Sequence, residues 1–208
     1  MKAILIINPT SGNTKGIMPP IFKWTFKKLE KTVMTVAVPQ TSAAEIKKEV
    51  RKSCIKENIK LDIKFTKHPK HAMELAEGAK KKYDMVIVAG GDGTVNEVIN
   101  GIIGSKITLV IIPFGSTNVL ALELGIPFNA KEASELIGHG KKLKIDLGYA
   151  KTNEEARYFS MMVDVGFIPK LIKGIDLKVK KKWGNLSYLF SGIRQLLTYK
   201  WHNIHVEH

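Results

Sequence analysis

The chain has 208 residues, 44% of them hydrophobic and 25% charged, which excludes a disordered or fibrous protein. Its formal net charge of +14 suits three kinds of partner: nucleic acid, anionic lipid headgroups and phosphorylated small molecules. The single cysteine, Cys54, excludes an intrachain disulfide, and no apolar stretch reaches the roughly 20 residues that span a bilayer. We therefore expect a cytoplasmic protein that is soluble or peripheral at a membrane.

The first third of the chain alternates between patterns typical of strands and of helices. Residues 3–7 form a continuous apolar run, as buried parallel strands do, and "NPTSGNTKG" then predicts a loop. Apolar residues at helical spacing predict a helix over residues 21–33. A second helix is predicted from Ser42, because Glu45 follows three residues later in the capping-box pattern. Residues 61–65 alternate as a strand, and "HAMELAEGAKKK" predicts another helix.

Two more buried strands follow, at residues 85–89 and 107–112. The first leads through a glycine turn into the helix "TVNEVINGI", and the second leads through "PFGSTN" into a short helix that ends near Gly125. Strands that alternate with helices predict an α/β domain with a Rossmann-like parallel sheet, here residues 1–140. Residues 141–208 predict the beginning of a β-rich second domain, since the strand patterns at 142–150 and 156–167 have no helix between them.

Three of the predicted strands end in loops suited to binding an anion: residues 8–12, 90–94 and 113–118. Glycines let backbone N–H groups approach a phosphate, and the start of the next helix adds a partial positive charge. Thr94 and Glu97 match the capping-box pattern, which predicts a helix start at Thr94. The loop is not a P-loop, and Asn96 replaces the third glycine of the dinucleotide fingerprint.

Asp92 is the unusual residue of the glycine turn, because a phosphate repels a neighbouring carboxylate. Its side chain could hold magnesium, accept a proton from an attacking hydroxyl, or bind a ribose or water network. The alternative is a turn aspartate that accepts hydrogen bonds from its own backbone.

The segment "GGDGTVNEVINGI" resembles the glycine-rich motif of the diacylglycerol kinase catalytic domain family. That family includes bacterial lipid kinases and sphingosine kinases, and is distantly related to NAD kinases and phosphofructokinases. "LIINPTSGNTKG", "KFTKHPKHAMELA" and "LVIIPFGSTNVLALELGIP" are similar to three further family segments. "KIDLGYA", "RYFSMMVDVGF" and "KKKWGNLSYLFSGIRQLLTY" resemble the start of the family's second domain, a β-sandwich.

The resemblance implies an ATP-dependent transfer of the γ-phosphate to the hydroxyl of diacylglycerol or a related lipid, with magnesium, in phospholipid biosynthesis. It implies a catalytic role for Asp92. Ser116 stands where the family usually has threonine, which keeps the hydroxyl. The residues carried over to the nucleotide site are Asn8, Thr10, Ser11, Gly12, Asn13, Thr14, Thr66, Gly91, Gly93, Thr94, Asn96, Glu97, Ser116 and Asn118.

The sequence also departs from the family pattern. The chain is shorter than family members, and the region that carries their magnesium ligands and proton acceptor has no counterpart here, so no metal ligand is named. We expect a fragment or truncated product that associates with a missing C-terminal half or with itself. "GFIPKLI" replaces Gly-Phe-Asp-Ala, and residues 16–38 are longer than the family needs. This insertion, which mixes aromatic residues with lysines, either contacts a membrane surface or packs as an extra helix.

Two other functions remain open: a kinase for a soluble acceptor such as NAD, and a catalytically impaired ATP-binding fragment. A nucleic-acid partner rests on charge alone and is not expected. His202, His205 and His208 recur every third residue, but this spacing alternates faces in a strand and does not favour a metal site.

Overall fold

The computed structural model describes residues 1–11, 41–153 and 155–163. The predicted helix at 21–33, the insertion at 16–38 and every element predicted after residue 163 lie outside the described residues. Gly12, Asn13 and Thr14 lie outside them as well.

The described chain alternates between strands and helices up to residue 123, as the sequence predicts, and a further helix follows at Ala130–His139. The strands are β1 (Lys2–Ile7), β2 (Lys60–Phe65), β3 (Met85–Gly90), β4 (Thr108–Pro113), β5 (Gly148–Lys151) and β6 (Ala156–Phe159). The helices are α1 (Ala43–Lys56), α2 (His71–Ala79), α3 (Asp92–Ile102), α4 (Val119–Glu123) and α5 (Ala130–His139).

The first four strands form one parallel sheet in the order β2-β1-β3-β4. Ile7 pairs with Phe65 on one side and with Ala89 on the other, while Gly90 pairs with Pro113. The carboxyl ends of all four strands therefore lie at one edge of the sheet, where open α/β sheets bind ligands. This confirms the predicted α/β class.

Helices cover both faces of the sheet. On one face, α1 and α5 pack on alternate residues of β1 and β3, with Ile46, Val50 and Ile137 buried between them. On the other face, α2, α3 and α4 cover the remaining residues of the same strands, with Val98 and Leu120 buried. Both faces of β3 are buried, which explains why this strand is an unbroken apolar run.

Helix α1 begins as predicted, because the Ser42 hydroxyl accepts a hydrogen bond from the Glu45 N–H at 3.1 Å. Cys54 lies on its buried face with 1% of its surface exposed. Burial disfavours the thiolate and raises the pKa of Cys54 to about 11, which argues against a reactive thiol. The sequence analysis did not predict α5, although Asn129 caps it by accepting from the N–H groups of Lys131 and Glu132.

Two predicted boundaries are wrong. Helix α3 begins at Asp92, with Gly91 as its N-cap, so Thr94 and Glu97 do not form a capping box at the helix start. The strand predicted from residue 142 begins only at Gly148. Leu143 and Ile145 are exposed, and residues 141–147 join no sheet within the described ranges.

Strands β5 and β6 form an antiparallel hairpin that packs on α3. The Asn100 amide donates to the Tyr158 carbonyl at 2.9 Å and accepts from the Tyr158 N–H at 3.0 Å, as a neighbouring strand would. The Lys70 ammonium lies 3.2 Å from Glu155, and this contact, followed by that of Arg157, lowers the pKa of Glu155. The hairpin is thus joined to the sheet domain at two points.

The described residues up to Met161 form one compact unit, while Met162 and Val163 belong to a second. The domain boundary at residue 140 and the sandwich beyond it stay predictions. Within the described residues, every helix is too short or too polar to cross a membrane.

Candidate functional site

The candidate site is the edge of the sheet at which the four parallel strands end. The backbone ladder continues past the strands into their loops: the Asn8 N–H donates to the Ala89 carbonyl at 2.9 Å, and the Phe114 N–H donates to the Gly90 carbonyl at 3.1 Å. The loops after β1, β3 and β4 are therefore held side by side, as the sequence predicts for its three anion-binding segments.

Asn8 organises the loop after β1 and ties it to α3. Its Oδ1 accepts from the N–H and the hydroxyl of Thr10, at 3.1 and 2.7 Å. Its Nδ2 donates to the hydroxyl of Thr94 at 2.9 Å. Thr94 lies on α3 and is only 8% exposed. Its hydroxyl therefore links the loop after β1 to this helix.

The loops after β3 and β4 touch through two glycines. A Cβ placed on Gly115 would lie 2.4 Å from the Cα of Gly91, and a Cβ on Gly91 would lie 3.3 Å from the Cα of Gly115. Gly93 is different, since a Cβ placed there meets no atom of the described residues within 4 Å. At the start of α3, the backbone of Gly91 therefore lies against that of Gly115, whereas Gly93 borders open space within the described residues.

Asn118 closes the loop after β4. It is 2% exposed and adopts the left-handed conformation with φ of 50°, which asparagine tolerates better than most residues. Its Oδ1 accepts from the Gly115 N–H and its Nδ2 donates to the Gly115 carbonyl, both at 2.8 Å. The Asn118 side chain thus fixes the glycine that contacts Gly91.

Asp92 joins the glycine turn to the start of α4. Its Oδ2 accepts from the Thr117 hydroxyl at 3.0 Å, and its Oδ1 accepts from the Leu120 N–H at 3.2 Å. The carboxylate therefore lies between the two loops and satisfies a backbone donor in the first turn of α4. Sequence analysis missed Thr117, although it lies between the two predicted residues Ser116 and Asn118.

Glu97 likewise accepts hydrogen bonds from backbone N–H groups at the start of another helix, α2. Its two carboxylate oxygens accept from the N–H groups of Lys70 and Ala72, at 3.0 and 3.2 Å, at the start of α2. Gly101 lets the two helices approach closely, because a Cβ there would lie 2.5 Å from the Met73 carbonyl oxygen. In the described chain Glu97 holds a helix start, and its predicted contact with nucleotide stays a prediction.

The start of α3 itself has no side-chain cap among the residues that the structure describes, because its N-cap is Gly91. Helix starts at this edge thus differ: α2 and α4 receive carboxylates from α3, whereas no described residue outside α3 provides one at the start of α3. A helix start with exposed N–H groups and adjacent glycines is a general anion-binding arrangement.

The structure brings most of the predicted nucleotide residues to this edge. Thr66 follows β2, and its N–H donates to the Ile7 carbonyl at 2.9 Å, while the Ser11 N–H donates to the Asn8 carbonyl at 3.2 Å. Ser116 is exposed on the loop after β4. Asn96 lies one turn into α3, and its Oδ1 is buried without a hydrogen-bond partner in the described part of the chain.

Comparison with known proteins agrees with this architecture. The family described as "Diacylglycerol kinase catalytic domain" matches residues 38–150, more than half of the chain. A Streptococcus pneumoniae protein named "Putative lipid kinase" is 31% identical over 209 residues, which cover 99% of this chain and 60% of the relative. The diacylglycerol kinase of Bacillus subtilis is 33% identical over 135 residues, covering 64% of this chain and 43% of the relative.

A solved structure shares the fold. The crystal structure titled as a "putative diacylglycerol kinase" from Bacillus anthracis superposes with a TM-score of 0.52 at 27% identity, covering 70% of this chain and 44% of that one. The chain spans 60% or less of the length of these relatives. The match over residues 38–150 includes the glycine turn, Asp92, Glu97 and the loop after β4, and the chain belongs to the diacylglycerol kinase catalytic domain family.

Proposed function

We propose that the chain is the nucleotide-binding part of an ATP-dependent lipid kinase. The observation that carries the proposal is the start of α3, which has no side-chain cap within the described residues and lies between the Gly91–Gly115 contact and the open space at Gly93. The phosphates of ATP would lie there, where the helix dipole and the N–H groups of the first turn, which have no partner within a helix, favour negative charge. Phosphoryl transfer depends mostly on such positioning and charge neutralisation.

The donor set of the site fits magnesium bound together with nucleotide. Mg²⁺ is usually held by one or two carboxylates together with substrate phosphates, and its charge offsets the negative charge that develops on the phosphoryl group. Asp92 would hold it, because within the described residues its two oxygens accept one hydrogen bond each, from Thr117 and from Leu120, and a carboxylate offers about four lone-pair positions. Thr117 and the Leu120 N–H keep this carboxylate beside the glycine turn.

The lipid acceptor is proposed from the family and from the names of the relatives. Residues that would bind the acceptor, and the base that would take its proton, are not assigned within the described chain. A second candidate function follows from length: since the chain spans 43–60% of its two curated relatives, it could bind ATP and still need further residues for transfer. Binding and transfer are therefore measured separately.

The binding test compares two glycine-to-alanine variants. Gly93→Ala places a methyl group in the open space at the first turn of α3, and Gly78→Ala places one in equally open space on α2. Both positions are helical, so both variants should fold with equal or slightly higher stability. We expect Gly93→Ala to weaken Mg·ATP binding in calorimetry about ten- to hundredfold, as the loss of hydrogen bonds to a charged ligand does, and Gly78→Ala to leave binding unchanged.

Equal ATP affinity in the two variants would contradict the assignment of the phosphates to α3. Transfer is then measured with labelled ATP, magnesium and mixed micelles that contain diacylglycerol, with NAD as acceptor in a parallel reaction. Label in the lipid that is lost in Gly93→Ala supports the lipid kinase. ATP binding without transfer supports the nucleotide-binding fragment, and label in NAD alone would replace the lipid with a soluble acceptor.

A further inference from the structure

A second group of polar side chains lies between β2 and the first turn of α2, outside the phosphate site. It consists of His68, His71 and Glu74, called here the histidine cluster. Each residue offers one atom able to bind a metal, and these atoms all lie within 4.8 Å of one another. The cluster forms the pattern H-x-x-H-x-x-E in "HPKHAME".

His68 is oriented as a metal ligand would be. Its Nδ1 lies 3.0 Å from the Pro69 carbonyl oxygen. A carbonyl only accepts, so this contact requires a proton on Nδ1 and leaves the lone pair on Nε2. That Nε2 lies 3.9 Å from the Glu74 Oε2. A backbone carbonyl that binds the distal nitrogen in this way is the usual support of a metal-binding histidine.

His71 shares a helix face with Glu74, because the two are three residues apart in the first turn of α2. Its Nδ1 accepts from the Lys67 N–H at 2.9 Å, and its ring stacks on His68 with centroids 4.5 Å apart. A metal lies in the plane of each imidazole that binds it, so two stacked rings cannot both face one ion. His71, which is half-buried, must therefore turn to bind an ion shared with the exposed side chains of His68 and Glu74.

We propose that His68, His71 and Glu74 bind one transition-metal ion of the zinc type, with water completing its coordination. Two imidazoles and a carboxylate are ligands that zinc prefers, whereas magnesium prefers oxygen ligands alone. Bonds of about 2.0–2.1 Å in a tetrahedron place ligand atoms about 3.4 Å apart. The ligand atoms, which lie within 4.8 Å of one another, must therefore close by at most about 1.4 Å, and the rotation of His71 would supply the largest part.

The ion would connect the loop after β2 to the first turn of α2. Lys70 lies between the two histidines, and its N–H donates to Glu97 of α3 at 3.0 Å. A bound metal would thus fix the segment that links α2 to the helix of the glycine turn. This proposal does not depend on the kinase reaction and is tested without it.

The test is a calorimetric titration of the full chain, without an affinity tag, with Zn²⁺. His68→Gln and His71→Gln are compared with His139→Gln, a control at an exposed histidine beside Lys56 and Glu57. We expect one equivalent to bind, each cluster variant to weaken binding at least tenfold, and the control to bind as the unaltered chain does. A large excess of Mg²⁺ should not displace the ion.

The histidines near the C-terminus need their own control, a variant in which His202, His205 and His208 are replaced by glutamine. Binding that survives in this variant and is lost in His68→Gln supports the histidine cluster. Binding lost only in the C-terminal variant, or no binding at all, overturns the proposal. In NMR spectra, Zn²⁺ should shift the Lys67 amide signal, because His71 releases that N–H; an unchanged Lys67 signal at saturation would contradict the proposed rotation.

Discussion

The starts of α2 and α3 lie at the same edge of the sheet and are built in opposite ways. At α2 the Glu97 carboxylate accepts from two backbone N–H groups, so a negative charge of the protein itself occupies the helix start. At α3 the N-cap is Gly91, which provides no side chain, and Gly93 borders open space. Among the described residues, the start of α2 is therefore capped by a carboxylate from another helix, whereas the start of α3 has no side-chain cap.

This difference indicates which helix start at the glycine-rich edge of the sheet is suited to phosphate. Helix α3 carries both acids, and each serves a neighbour: Asp92 accepts from the first turn of α4 and Glu97 accepts at the start of α2. The two neighbouring starts are thereby occupied by carboxylates, which would repel an anion. The start of α3, whose own Asp92 carboxylate accepts from α4, is the start to which we assign the phosphate, and Gly91 and Gly93 lie beside it.

The largest effect that bears on this comparison is expected from Asn118→Ala. The substitution removes both hydrogen bonds from the Asn118 side chain to the half-buried backbone of Gly115 and places alanine in a left-handed conformation. We expect a loss of about 2–4 kcal/mol in the free energy of unfolding, measured by urea denaturation. ATP affinity should fall as well, since Gly115 would no longer be held against Gly91.

Asn58→Ala is the matched control for this variant. Asn58 has a similar φ of 54° but is exposed, so its replacement isolates the strain of the left-handed conformation. We expect a cost of about 1 kcal/mol there and no change in ATP affinity. Equal losses in the two variants would mean that the Asn118 hydrogen bonds contribute nothing beyond backbone conformation.

Glu97→Ala should have an intermediate effect, because it makes the start of α2 resemble that of α3. The N–H groups of Lys70 and Ala72 lose their carboxylate, at a cost of about 1–2 kcal/mol, the usual effect of removing a helix cap. Glu97→Gln keeps an acceptor oxygen and should recover part of this loss. Thermal unfolding of both variants should also become more sensitive to inorganic phosphate, which can occupy the vacated start.

The control for Glu97 is Glu77→Ala, an exposed glutamate on α2, for which we expect a change within about 0.5 kcal/mol. If Glu97→Ala were as mild as this control while ATP binding fell, the Glu97 carboxylate would act on the nucleotide and not on α2. That outcome would favour the predicted nucleotide contact over the capping role.

Local sequence patterns predicted the fold well where local contacts decide it. The apolar runs of β1 and β3 gave buried parallel strands, and the Ser42–Glu45 pattern correctly placed the start of α1. The same pattern at Thr94 and Glu97 placed the start of α3 wrongly. Both side chains find partners in segments distant in sequence, Asn8 and the start of α2, which no local pattern contains.

The candidate site was likewise predicted where local patterns decide it and not where contacts between distant segments do. The three loops were predicted because glycines and polar residues follow apolar strands, and parallel strands bring their ends together. The roles of individual side chains were not predictable, since Asn118 and Asp92 are defined by contacts across loops. The histidine cluster was overlooked because His68 precedes the helix while His71 and Glu74 lie on it, so no single periodicity unites them.

The smallest effect is expected at Asp62, whose carboxylate accepts a hydrogen bond from a phenol hydroxyl and not from the N–H groups of a helix start. The Tyr83 phenol donates to the Asp62 Oδ2 at 2.6 Å. This bond, with smaller effects from burial and from the charge of Asp62, raises the pKa of Tyr83 above its usual value of about 10. A raised pKa in the folded state favours the protonated phenol, so its contribution to stability is complete below about pH 10 and is lost as pH rises through the folded value.

Subtracting the absorbance titration of Tyr83→Phe from that of the unaltered chain isolates Tyr83 from the other tyrosines. In Asp62→Ala its titration should move down toward the usual range, because the acceptor and its charge are both removed. The stability difference between the unaltered chain and Tyr83→Phe should be constant from neutral pH to about pH 9 and shrink above about pH 10. A difference that grew with alkaline pH would show that the phenolate, and not the phenol, is the stabilised form, and would contradict the hydrogen bond to Asp62.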